Sequence, residues 1–414
     1  MTAFKTLVAV ALLSPAIALA NGYSVPNVNA RDLGAAGALV AAQRDAAAAW
    51  QNPAALSKLE GLELSFSASL LVNSTTWKEA GRSQSTDFAP APPPSLWAGY
   101  GTELAGRRVG FGAGMTVSAG GNVNWDPGWD GRFRIVTVDR KVYAFAASAG
   151  VEVLPQLRLG GGPVYYYTAE YLKQYVDFLT SEGSAEIRTK GGALAYDLSA
   201  EITPVLGYPL TIGIDYKHQG VQKLEGEAHY SNVPPPLATS LVDQKAGHVL
   251  TIPNTLHVGA AWRPAKEWLV AADYTFDRYQ VYKDDTFRGE FATSCPSASC
   301  IVVKRNYDNG SSYRLAAEYT VSSRVEVRAG LMRDLSGLQT DTYSPTLPDG
   351  DAWVGAAGVS YGLRPNLWLH GSVFYALLDK VTATGTEAFA GAYDTRVFLA
   401  AVAVSWRPAL GVAQ

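Results

Sequence analysis

The sequence predicts an all-β protein: a transmembrane antiparallel β-barrel of about 14 strands, its lumen plugged by a small, partly helical N-terminal hatch. The prediction rests on three observations. Strand-like segments with period-two alternation recur from Gly61 onward, aromatic residues gather near their ends, and the connections alternate between short and long. Composition agrees. Of 414 residues only 17% are charged, and 22 tyrosines, 10 tryptophans and 40 glycines stand beside 3 methionines, a usage that fits strands, turns and aromatic girdles rather than a cytosolic enzyme. The length exceeds what one ordinary core supports, which leaves two domains or one large barrel. A net charge of −3 shows no basic excess, so nucleic acid is not an expected partner, and 48% hydrophobic residues exclude a disordered chain.

Residues 1–20 read as a signal peptide: Lys5 supplies the positive start, Leu7 to Ile17 the apolar core and Ala18-Leu19-Ala20 the small-residue cleavage site. No later run of about 18 apolar residues occurs, so no transmembrane helix is expected. Residues 21–60 do not alternate. They are rich in Ala and Gly, carry Asn52-Pro53-Ala54, and lie directly before the first strand with Trp50 and Leu56 as anchors. Small residues pack tightly in a confined lumen, and a barrel this wide leaks unless filled, so a hatch is expected over a periplasmic tail.

Residues 61–407 supply the barrel. Leu62, Leu64, Phe66 and Ala68 share one face while Glu63, Ser65 and Ser67 share the other. The same pattern recurs at Leu210–Lys217, Trp268–Phe276, Tyr313–Tyr319 and, most clearly, at Val325, Val327, Ala329 and Leu331 against Arg324, Glu326 and Arg328. A soluble sandwich would turn the apolar face inward. The aromatic residues Trp97, Tyr100, Tyr165, Tyr167, Trp262, Trp268, Trp353, Tyr361, Trp368 and Trp406 instead fit interfacial girdles. Short turns near 105–106, 154–155, 204–207, 264–266, 322–323 and 364–365 alternate with long connections near 73–94, 120–140, 171–190, 221–251, 281–309, 336–350 and 381–392. That alternation belongs to bacterial outer-membrane barrels. Residues 408–414 form a C-terminal tail.

Within the third strand, Gly110, Gly112 and Gly114 recur at every second position. Glycine marks bulges, which would open a lateral window, and equally a side-chain-free wall against which the hatch packs. Hydrophobic capture is expected in the long connections, by Tyr171, Leu172, Tyr175, Val176, Phe178 and Leu179 in one and Leu237 and Leu241 in another; a small loop core is the alternative. The mixed inward charges Asp215, Lys217, Arg314, Glu318, Arg324, Glu326 and Arg328 are expected to pair with one another and with the hatch. Cys295 and Cys300 are the only cysteines, and an exported chain favours a disulfide between them over free thiols or metal ligands. No nucleophile elbow, phosphate loop or metal cluster accompanies the five histidines, so neither enzyme activity nor a metal or cofactor is expected.

These pieces together resemble the FadL/TodX family of outer-membrane transporters. The resemblance rests on Ala30-Arg31-Asp32-Leu33-Gly34, Asp45 through Leu56 with its Asn-Pro-Ala element, Ile252-Pro253-Asn254-Thr255-Leu256, Arg328-Ala329-Gly330-Leu331 and Ser344 through Asp351. It implies a 14-stranded barrel with an N-terminal hatch, which takes apolar substrates at its external loops and releases them through the wall at a kink in the third strand. The expected function is therefore passive uptake of fatty acids or aliphatic and aromatic hydrocarbons in the bacterial outer membrane, by a monomer in contact with lipid and lipopolysaccharide. The alternative is a general diffusion porin for small polar solutes. One departure is the ending: the last strand aromatic, Trp406, is followed by Arg407 to Gln414.

Overall fold

The computed structural model describes residues 29–408 apart from 240, 293, 297–299 and 387. The expected signal peptide, residues 21–28 and residues 409–414 lie outside the described residues. The barrel opens with β1 (Gly61–Glu79), β2 (Pro94–Leu104), β3 (Arg107–Asn124), β4 (Thr137–Leu154) and β5 (Leu157–Asp177). It continues through β6 (Glu182–Ile202), β7 (Leu210–Lys217), β8 (Thr255–Ala265), β9 (Trp268–Asp277) and β10 (Gly310–Ser322). The last strands are β11 (Val325–Leu335), β12 (Ala352–Arg364), β13 (Leu367–Leu378) and β14 (Gly391–Trp406). Strand β14 returns to β1 in register from Leu64↔Trp406 to Lys78↔Ala392, closing a 14-strand antiparallel barrel. Closure matters because a free edge in lipid would leave a row of unpaired amides.

The faces are those of a membrane barrel. On β1, Glu63, Ser65, Ser67 and Ser69 are buried in the lumen while Phe66 and Leu70 point outward, 41% and 45% exposed. On β11, Arg328, Met332 and Asp334 face in and Val327 and Leu331 face out. This arrangement is inside-out relative to a soluble sandwich and leaves a continuous apolar band for acyl chains. Tyr100, Tyr165, Trp262, Trp268, Trp353, Tyr361 and Trp406 are exposed on the outer surface, whereas Tyr167 and Trp368 are half-buried. Trp97 is not part of the girdle: it is fully buried, inside the barrel, 6.5 Å from the Trp50 ring. Arg324, expected inward, sits exposed at the β10–β11 turn, one residue before the ladder starts.

The short turns fall where the sequence places them. Between β2 and β3, Ala105 and Gly106 both take positive φ (51° and 73°), the geometry of a tight hairpin whose twist matches its strands. Several long connections are sheet rather than loop. Residues Gly220–Ser231 pair with the outer half of β6, from Lys190↔Glu225 to Ser184↔Ser231, and then with Gln244–Ile252. Asp284–Gly289 pairs with Cys300–Lys304. These extensions read as loops in the sequence because their outward face carries Lys223, Glu225, Glu227 and Lys245. Such charges mark a wall that has left the hydrocarbon. Cys295 and Cys300 are joined at the far end of one extension, with Cα atoms 5.3 Å apart.

Candidate functional site

The N-terminal segment lies inside the barrel. Helix α1 (Ala30–Gly34) starts at Asn29, whose side chain accepts a hydrogen bond from the Asp32 amide at 2.8 Å. Helix α2 (Ala48–Gln51) leads into a 3₁₀ turn, Pro53–Lys58, opened by a proline whose fixed φ suits a first helical position. Asn52 donates to the Val40 carbonyl at 2.8 Å, the Ala54 amide donates to Ser199 Oγ at 2.8 Å, and Ser148 Oγ donates to the Ala49 carbonyl at 2.8 Å. The wall opposite is glycine. A methyl group at Gly150 would meet the Pro53 carbonyl oxygen at 2.3 Å, one at Gly160 would meet the Ala54 nitrogen at 2.3 Å, and one at Gly110 would meet the Leu56 oxygen at 2.1 Å. Asn52, Pro53 and Ala54 thus sit buried between wall and segment, in backbone contact that no larger residue permits.

Ion pairs fasten the same segment. Glu318 on β10 receives Arg31 at 3.3 Å, Arg44 at 3.0 Å and Arg328 at 3.1 Å, and Glu326 takes Arg44 at 2.6 Å. Lys58 pairs with Glu201 at 2.5 Å, and Asp273 accepts from the Val40 amide at 3.0 Å. Burial first, and then Asp45, push the Asp32 carboxyl up to about 7. Lys217 pairs with Asp215 and with Asp197 on the neighbouring β6. Arg314 bonds Thr275 rather than a carboxylate.

The third strand is irregular, though not at its glycines. Gly110 and Gly112 face the N-terminal segment, Gly112 against the Ala49 methyl, while Gly114 abuts Leu96 and Trp97. The break is a bulge: Val117 pairs Tyr143 and Ala119 pairs Val142, which leaves Ser118 extra. Just there the partner on the other side ends. The β2–β3 ladder stops at Ser95↔Thr116, and farther along the Asp87 amide donates to the Asn124 carbonyl at 2.8 Å. Between them β3 runs beside a segment containing Pro90, Pro92, Pro93 and Pro94, which have no N–H to give. Asn73 of β1 reaches across to the Asn122 carbonyl at 3.2 Å.

Above the segment stands a connected column of buried apolar side chains. It runs from Ala46–Trp50 and Leu56 through Trp97, Val142, Val164, Tyr166, Leu224, Leu250 and Ile252 to Tyr279, Tyr282, Tyr307 and Leu347. The connection carrying Leu347 folds into the mouth, with every residue from Thr342 to Gly350 buried. A second cluster lies beside it. Trp125 and Trp129 stack at 4.1 Å, Phe389 lies 5.4 Å from both Trp77 and Trp129, and Tyr343 meets Tyr393 at 4.3 Å. Sequence reasoning passed over these rings. The available signal was Trp125-Asp126-Pro127-Gly128-Trp129, a turn sequence with more indole than a solvated loop needs.

The residues expected to capture ligand are dispersed. Tyr171, Leu172, Tyr175 and Val176 belong to the outer end of β5 rather than a loop, with Phe178 and a fully exposed Leu179 at the hairpin tip. Leu237 lies in a short 3₁₀ turn, half-exposed, and Leu241 is buried. Leu172 turns into the mouth, where it lines a cavity with Val138, Phe287, Val303 and Leu347. Tyr171 faces an outer groove instead, beside Lys141 and Arg188.

Polar groups surround that mouth cavity. His248 bridges Glu170 and Asp285, each at 3.1 Å, Arg140 pairs with Glu170 at 2.5 Å, and Arg305 with Asp285 at 2.8 Å. Burial works against the imidazolium, but Glu170 and Asp285 raise it to about 9. Tyr307 and Tyr343 are buried, and their hydroxyls have no hydrogen-bond partner among the described residues. At the opposite end His370 bridges Ser360 at 2.7 Å and Ser405 at 3.1 Å. Ser360 is fully buried and also accepts from Arg328, so the pair is a structural tie rather than an accessible nucleophile.

A family model described as "Outer membrane protein transport protein (OMPP1/FadL/TodX)" matches residues 10–407. Among solved structures, a Pseudomonas aeruginosa FadL homologue superposes with a TM-score of 0.83 at 16% identity, covering 93% of this chain and 99% of that one. The P. putida toluene transporter TodX gives 0.71 at 16% identity, with 88% and 94% covered. The Ralstonia pickettii toluene transporter TbuX gives 0.65 at 18%, with 90% and 97% covered. A comparison with curated proteins gives no match. The family comprises transport channels rather than enzymes, and the chain, a closed barrel of the outer membrane, belongs to the OMPP1/FadL/TodX family of outer-membrane transport proteins.

Proposed function

We propose that this protein admits hydrophobic molecules, hydrocarbons or fatty acyl compounds, passively across the outer membrane. The observation that carries the reading is the column of buried apolar side chains between the external connections and Trp50. A wet pore gives an apolar solute no burial, whereas each CH₂ kept from water is worth about 0.8 kcal/mol. Capture is assigned to the rings around Trp125 and Trp129, with Leu172 at the cavity beside them. The segment 29–60 acts as a hatch: its backbone seats against Gly110, Gly150 and Gly160, and Arg31 and Arg44 anchor it to Glu318. A general porin is disfavoured because this segment fills the lumen such a porin would need open.

The exit we assign to the wall between β2 and β3, at the Ser118 bulge and the proline-rich segment before β2. The test is deletion of Ser118, which restores one continuous β3–β4 register. Uptake of a labelled alkane or aromatic hydrocarbon by cells should fall several-fold, while ligand copurifying with the detergent-extracted protein, measured by mass spectrometry, is retained. Unchanged uptake by a folded deletion variant removes the lateral exit. Absence of any apolar ligand from the wild-type protein, together with free passage of sugars, removes the uptake reading itself.

A further inference from the structure

A cavity of about 310 Å³ opens at the end of the barrel bearing the short turns, between the hatch and β7–β9, away from the capture rings. Its hatch wall presents Arg44 and Lys58, and its barrel wall presents Arg263; its floor is apolar, with Ala41, Leu210 and Leu269. Arg44 and Lys58 have carboxylate partners in Glu318, Glu326 and Glu201. Arg263 has none among the described residues, and it makes no side-chain hydrogen bond there. Burial pushes the Lys58 ammonium down against the pull of Glu201, with Arg158 and Arg31 adding to it. The adjoining β6–β7 turn displays a run of apolar side chains, Val205, Leu206 and Tyr208, all more than half exposed. A basic rim over an apolar floor, beside a greasy turn, has the form of an amphiphile site.

We propose that this cavity binds the carboxylate head of an alkyl or aryl acid, with Arg263 as its principal cation and the chain lying along Leu210 and Leu269. The guanidinium can meet a carboxylate through two parallel N–H···O bonds, which a lysine cannot. The site deepens the uptake reading by adding a place where an acidic cargo pauses at the periplasmic face. Binding, not uptake, is the readout, so failure here is distinct from failure of the transport reading.

Calorimetric titration of the detergent-purified mature protein with octanoate, 1-octanol and octyl phosphate tests it. Octanoate should bind at least tenfold more tightly than 1-octanol, Arg263→Gln should abolish that advantage, and Arg263→Lys should keep only part of it. Arg263 is exposed at the rim, so the substitution spares the fold; heat-modifiability on gels checks this. Octanoate binding no tighter than 1-octanol, or unaltered in Arg263→Gln, overturns the site. Octyl phosphate binding a hundredfold more tightly than octanoate would assign the cavity to a lipid phosphate and overturn the cargo assignment.

Discussion

A single methyl group at Gly110 is the sharpest probe of whether the N-terminal segment seats on the wall of β3. The added Cβ would lie 2.1 Å from the Leu56 oxygen and 2.3 Å from its carbonyl carbon, against 3.4 Å for ordinary contact. Both are backbone atoms and neither can swing aside, so the segment must retreat by about 1.3 Å, the difference between 3.4 and 2.1. Overpacking of this kind costs about 1–3 kcal/mol, and stretching the Ala54–Ser199 and Arg108–Ser57 bonds adds about 1 more. A penalty of about 2–4 kcal/mol raises the unseated population roughly 30- to 700-fold. Gly112→Ala meets the Ala49 methyl at 2.8 Å and the Leu56 side chain at 2.9 Å, which can yield, so its effect should be smaller. Gly355→Ala meets nothing within 4 Å and is the control. Swelling of proteoliposomes in arabinose reads the leak directly, and the order Gly110→Ala, Gly112→Ala, Gly355→Ala is expected. A Gly110→Ala protein that folds and leaks no more than Gly355→Ala refutes the seating.

Glu318→Gln leaves the buried Arg31 and Arg328 short of their shared carboxylate and should cost about 3 kcal/mol, seen as a lower unfolding temperature together with a sugar leak. Trp129→Ala removes the ring stacked on Trp125 and should reduce hydrocarbon uptake several-fold without raising sugar leakage; intact uptake would dismiss these rings as the capture surface. His248 is held charged by Glu170 and Asp285, with its pKa raised from 6.5 to about 9. Its contribution of about 3 kcal/mol should be complete below pH 6.5 and disappear as pH rises through 9. Melting temperatures between pH 6 and 10 should show that loss in the wild type and not in His248→Gln.

The barrel itself was legible because lipid demands a simple code: apolar out, polar in, tight turns on one side. Glu63 through Ser69 and Arg328 through Asp334 obey it residue by residue. Glycines at every second position likewise announced a close approach, and at Gly110 and Gly112 what approaches is the N-terminal segment, at Leu56 and Ala49. What escaped was the region above the membrane. There the wall of Gly220–Ser231 and Gln244–Ile252 keeps its hydrogen bonds but loses its apolar outer face, so period two no longer separates strand from loop. The placement of the expected capture residues was hidden for a related reason. Tyr171 to Val176 look greasy in sequence, yet pairing with β6 spreads alternate members over opposite faces. The rings that do meet, Trp77, Trp125, Trp129 and Phe389, come from three connections that only closure of β14 on β1 brings together.

Where such a wall can open follows from which hydrogen bonds it lacks beforehand. Parting β10 from β11 would expose a ladder running from Ser311↔Leu335 to Ser322↔Val325, and each amide stranded in hydrocarbon costs several kcal/mol. The stretch beside residues 117–123 of β3 is different. Pro90, Pro92, Pro93 and Pro94 remove donors from one side in advance, and Ser118 has already displaced the register on the other. The Asn122 carbonyl is served by the Asn73 side chain rather than by a ladder partner. In the proposed exit the bulge and the prolines act together: the prolines offer no N–H at four positions of the edge, and the bulge shifts the register of β3 against β4. Neither alone would suffice, because a bulge facing a full strand re-pairs, and a proline edge facing a regular strand is simply covered.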